Sequence, residues 1–158
     1  MRSILLVLAG AASLALASEA NTVEARGPRE PAGVARWDCN PPEFLSAFGD
    51  TLNLQINQLE KSSQTFSVPG KPSNKPFSTV WVACQDLPAI SILNESPKGF
   101  KISAEQVAEL ATFLRDGTGC TQNEPGLDGS HPENMTKGQL YMTDGWSLVI
   151  QAPDSCPK

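Results

Sequence analysis

The chain has one histidine, His131, in 158 residues, with no C-x-x-C pair, no G-x-S-x-G turn and no dense cluster of lysine and arginine. Each absence narrows the function. Without a basic patch there is no electrostatic footprint for nucleic acid. Without C-x-x-C there is no thioredoxin-like redox pair and no ordinary zinc spacing. Without G-x-S-x-G the nucleophile turn of the α/β-hydrolases is missing. His131 sits in a Gly/Pro-rich stretch near Glu133 and Lys137. A ribonuclease-like set of acid, base and cation could be assembled from these three alone. The plain alternative is a solvated loop histidine. Asp86, Asp116 and Asp144 offer carboxylates with no diagnostic spacing. No catalytic residue, metal ligand or cofactor site is assigned.

Long apolar runs are also scarce. The one candidate begins at Ile4 and ends at Leu16, after Arg2 and before the small-x-small run Ala15-Leu16-Ala17. That is the layout of a secretory signal peptide over residues 1–17, with Ser18 as first mature residue. It is too short for a membrane span, and no other stretch is long enough to propose one. Loss of Arg2 takes the formal charge from −5 to −6, an acidity that suits solubility. Residues 18–36 alternate in charge between prolines and glycines and hold little that could enter a core. They read as a disordered spacer, or as a propeptide cut after Arg36. A single secreted domain over residues 37–158 is expected.

The cysteines point the same way. Cys39, Cys84, Cys120 and Cys156 form an even set behind a leader, so two disulfides are expected. Three connectivities are open. The expected one is Cys39–Cys156, tying the domain ends, with Cys84–Cys120, tying a strand to a helix exit. Asn94-Glu95-Ser96 and Asn134-Met135-Thr136 fit the glycosylation sequon. Asn134 lies in a polar loop, whereas Asn94 is soon followed by Pro97.

The clearest helix runs from Ala104 to Asp116. Ser103 and Gln106 form a capping box, Val107, Leu110, Ala111 and Leu114 make one apolar face, and Gly117 is the left-handed stop. A second helix is expected from Pro42 to Glu60, on Phe44, Phe48, Leu52, Ile56 and Leu59. Thr79–Cys84 and Ala89–Leu93 read as strands, and Gln64–Val68 as a shorter one. Residues 121–137 read as a loop. Leu140–Thr143 and Trp146–Ile150 form a hairpin around Asp144-Gly145, with Leu140, Met142, Leu148 and Ile150 facing the core. The expected fold class is α+β: a small disulfide-bonded two-layer sandwich, its antiparallel sheet carrying two helices on one face. Trp81 belongs in the core on this reading. Trp37, Tyr141 and Trp146 are the candidate binding aromatics.

The order of features resembles the secreted fungal effectors called killer-toxin-like or necrosis-inducing-factor-like proteins. The elements that carry it are Cys39 near the mature start, a first helix, and the strand Thr79 to Cys84. The F-K-I-S lead into a helix (Phe100 to Arg115) and the final hairpin with Trp146 complete it. The resemblance implies an α/β sandwich, extracellular action in the host apoplast on a host or competitor, and no enzymatic step. The implied partner is a host or competitor protein or a cell-surface component. Two further readings stand beside it: a secreted cell-wall carbohydrate-binding module using exposed aromatics, and a small secreted hydrolase centred on His131.

Overall fold

The computed structural model describes residues 28–84, 88–125 and 132–156. The expected leader, the spacer up to residue 27, Asp86 and His131 lie outside the described residues. In chain order the elements are β1 (Val34–Asp38), β2 (Ala47–Phe48), α1 (Gly49–Glu60), β3 (Thr65–Val68), β4 (Ser78–Cys84) and β5 (Ala89–Asn94). Then come β6 (Phe100–Ser103), α2 (Ala104–Thr112) with a π-helical turn (Phe113–Gly117), β7 (Thr121–Pro125), β8 (Pro132–Thr136), β9 (Gly138–Met142) and β10 (Trp146–Gln151). The main sheet has the order β1-β9-β10-β5-β4, all antiparallel; β2-β8-β7 and β3-β6 form two smaller antiparallel sheets.

This is the expected α+β class, with two helices on one sheet face. Ile90, Ile92, Leu140, Leu148 and Ile150 point to the helices and are fully buried. Leu52, Ile56 and Leu59 of α1 and Val107, Ala111 and Leu114 of the α2 segment close over them. Each of these valine, leucine and isoleucine side chains contributes about 1.5–3 kcal/mol of transfer free energy. The opposite sheet face carries a polar layer: Gln139 donates to the Ser147 hydroxyl at 2.8 Å, and Tyr141 donates to Gln139 at 3.1 Å.

The capping box of α2 is present. Gln106 N–H donates to the Ser103 hydroxyl, and Ser103 N–H donates to Gln106 Oε1, each at 3.1 Å. Past Thr112 the helix loosens into the π turn, and the left-handed glycine is Gly119, with φ 77°, rather than Gly117. α1 begins at Gly49, not Pro42. The residues before it are drawn into extended pairing: Leu45 bridges Ala152, and Ala47 and Phe48 pair with Thr136 and Met135.

In the β9–β10 hairpin Leu140, Met142, Leu148 and Ile150 face the core as expected, but Leu148 lies opposite Leu140, one residue away from the register that a two-residue Asp144-Gly145 turn sets. Its turn differs from a simple two-residue link. Gly145 N–H donates to Met142 C=O at 3.2 Å, so Thr143 and Asp144 are the central pair, and Gly145 follows at φ 78°. That is a turn followed by a left-handed glycine, a position where a Cβ is penalised.

Three further expectations are corrected. Residues 121–137 are not simply a loop, because β7 and β8 pair there, with the Thr121 and Thr136 hydroxyls 2.8 Å apart. Val34 to Arg36 lie not in a spacer but in the edge strand β1, with Arg36 opposite Tyr141. The disulfides are Cys39–Cys120 and Cys84–Cys156. Sheet order explains the pairing. β1 lies against β9, so Cys39 emerges beside the exit of the α2 segment. Gln151 lies opposite Ala89 and Ala89 opposite Cys84, so the tail after β10 leaves at the end of β4.

Candidate functional site

Phe100 opens β6 and Trp146 opens β10. Their ring centroids are 5.0 Å apart with planes inclined by 38°. The two rings form the apolar wall of a cleft of about 490 Å³, lined also by Ser96, Lys98, Lys101, Gln106 and Asp144. The aromatic wall faces an equal share of polar surface, and the volume falls in the usual range for a small-molecule site.

The cleft is held from behind by Asn94, which is fully buried. Its amide donates to the carbonyls of Pro69 and Lys98, at 2.9 Å each, and its oxygen accepts from Ser96 N–H at 3.0 Å. Lys71 N–H donates to Ser96 C=O at 2.8 Å, and Glu95 N–H to Gly145 C=O at 3.0 Å. The β5–β6 loop is therefore tied to both the β3–β4 loop and the β9–β10 turn. A loop with its backbone groups satisfied in this way presents Lys98 in a fixed place, which lowers the ordering cost of binding. On the other wall, Gln106 commits its oxygen to Ser103.

Lys98, Lys101 and Asp144 make no ion pair with any described residue; the one ion pair among the described residues joins Arg115 to Asp116. The hydrogen bonds that Arg115 donates to the Asp116 carboxylate raise the Arg115 pKa despite partial burial. That pair borders a separate polar groove of about 410 Å³ with Asn53, Asn57, Thr121 and Asn134, which has no aromatic wall.

Of the three aromatics nominated from sequence, Trp146 alone lies in the cleft. Trp37 stands edge-on to Phe113, at 5.7 Å and 87°, and is 41% exposed. Tyr141 lies on the sheet face away from the helices, with the Arg36 guanidinium 3.5 Å from its ring centroid. Trp81 is not in the helix-covered core: it is half-buried opposite Ser91, on the face away from the helices. The sequence reading missed Phe100, Lys98, Lys101 and Gln106 as site residues. The available signal was a pair of lysines bracketing an aromatic before a helix.

The sequons separate as well. Asn134 is exposed. Asn94 is enclosed, with both amide hydrogens engaged, so a glycan there is incompatible with this packing. Among the described residues no group of three or more His, Cys, Asp or Glu could hold a metal ion, and no helix is long and apolar enough to cross a membrane. No protein-family model, curated protein or solved structure matches the chain.

Proposed function

We propose that this is a secreted, effector-like protein that acts by capturing a host or competitor target, without a chemical step, through the Phe100–Trp146 cleft. The observation that carries the reading is the clamped loop. Asn94 fixes the backbone that presents Lys98 and leads into Phe100, while Lys98, Lys101 and Asp144 have no ion-pair partner among the described residues. Preorganised, unpaired polar groups beside an aromatic wall supply affinity and orientation together. The two disulfides suit an oxidising, extracellular setting, as does the leader-like start of the sequence.

The test is infiltration of oxidised protein into plant leaf tissue, beside a reduced and alkylated control and a Lys98→Ala/Lys101→Ala variant. Cell death or altered immune output from the oxidised parent, lost in both controls, supports the reading. Equal responses from parent and cleft variant remove the cleft from it. No response to the oxidised parent overturns the effector reading.

A further inference from the structure

We infer that the occupant of the cleft is an acidic saccharide, a hexuronate oligomer whose carboxylates meet Lys98 and Lys101 and whose ring lies on the Phe100–Trp146 wall. The inference rests on the reading of this cleft as the recognition site, and three features of its chemistry select the class.

The first is charge. The protein is acidic overall, at −5, yet the cleft lining holds two lysines against one aspartate. A third lysine, Lys71, borders it through the bond from its backbone N–H to Ser96 C=O. A cationic spot on an acidic surface favours an anionic ligand and disfavours other acidic surfaces. Ammonium groups with no ion-pair partner among the described residues are available for charge-assisted hydrogen bonds to carboxylate.

The second is the aromatic wall. A bare inorganic anion gains nothing from Phe100 and Trp146, whereas a pyranose ring buries its C–H face against such a surface. The third is Asp144. Beside a ligand that is only an anion this carboxylate repels. Beside a sugar acid it accepts from ring hydroxyls, while Gln106 offers an amide. Cation, acceptor and apolar wall together match a molecule that carries carboxylate, hydroxyl and C–H face on one ring.

The experiment follows the indole N–H resonances of the full oxidised protein, with Trp146 assigned through Trp146→Phe. The titrants are an oligogalacturonate, a neutral galactose oligomer of equal length and inorganic sulfate. The expected result is that the oligogalacturonate shifts the Trp146 resonance and binds at least tenfold more tightly than the neutral oligomer. Lys98→Ala/Lys101→Ala should lower that affinity about tenfold, and added salt should weaken it. Both lysines are exposed, so the variant keeps its fold, and its unchanged Trp37 and Trp81 resonances check this. Equal binding of charged and neutral oligomers overturns the acidic class and leaves the cleft reading standing. Sulfate binding as tight as the oligomer overturns the saccharide. If no titrant binds, the inference falls; the cleft reading then stands where the lysine variant has lost its effect in leaf tissue, and falls where it has not.

Discussion

Ser78 and Asn94 lie opposite each other in β4 and β5, and both donate to one carbonyl oxygen, that of Pro69, at 2.6 and 2.9 Å. Asn94 also serves Lys98 C=O and Ser96 N–H. Replacing Asn94 with alanine leaves those two groups with no partner in a partly enclosed site, at about 1–3 kcal/mol for each. Asn94→Ala should therefore lower unfolding stability by about 3 kcal/mol, read as a lower urea midpoint at unchanged slope. Amide exchange across residues 95–99 should quicken at the same time. A midpoint unmoved by the substitution would show that the clamp contributes nothing.

The disulfide pairing is checked by digestion without reduction. Peptides holding Cys39 and Cys120, and Cys84 and Cys156, should be joined. The bridges span 81 and 72 residues and interleave along the chain. Loops of that length give about 4 kcal/mol each on the chain-entropy model. Cys84→Ala/Cys156→Ala should lose about 2–4 kcal/mol by urea titration and remain folded through the other bridge. Recovery of a Cys84–Cys120 peptide would contradict the sheet order itself, since it would join the end of β4 to the opposite edge of the sheet, where Cys120 lies beside β9 and the end of β1.

Local rules made α2 legible, because Ser103, Gln106 and the apolar stripe through Leu114 all sit within a few turns. The β9–β10 hairpin was legible for the same reason, through period-two alternation around a glycine. What failed was non-local. Ala47 and Phe48 satisfy helical spacing as well as strand pairing, and only the presence of β8 decides between them. β7 and β8 are too polar to announce a buried face; their pairing rests on backbone bonds and on the Thr121–Thr136 contact. Arg36 read as spacer because its partner, the Tyr141 ring, is over a hundred positions away. The cleft needed the same information. Lys98, Phe100 and Trp146 become one site only when the β5–β6 loop meets the final hairpin.

Expression in a eukaryotic secretory host should separate the two sequons. Enzymatic glycan release in ¹⁸O-water should convert Asn134 to labelled aspartate and leave Asn94 unlabelled in the folded, secreted fraction. The physical ground is that Asn134 is exposed, whereas the Asn94 amide is enclosed and doubly engaged. A labelled Asn94 in correctly disulfide-bonded protein would mean that the loop behind the cleft is not packed as described. An attached glycan at Asn134 would border the polar groove, so it should leave saccharide titrations of the Trp146 cleft unchanged.

Gly138 tests whether β1 belongs to the domain. A Cβ there would stand 2.9 Å from the Asp38 carbonyl oxygen and 3.2 Å from both Cys120 Sγ and Leu114 Cδ1. The backbone of β1, the disulfide and the α2 segment all converge on that one position, and the carbonyl cannot retreat without opening the β1–β9 pairing. Gly138→Ala should therefore cost about 1–3 kcal/mol as overpacking, and exchange protection should be lost along β1. Gly119→Ala is the comparison. It meets nothing within 4 Å but sits at φ 77°, so it should cost about 1–2 kcal/mol through backbone strain alone with β1 protection intact. Equal exchange patterns in the two variants would mean that β1 does not press on Gly138. A chain beginning at Trp37 would then be as stable as one beginning at Ala32, whereas the Arg36–Tyr141 contact and the Thr143 N–H bond to Gly33 C=O predict that the shorter chain melts lower.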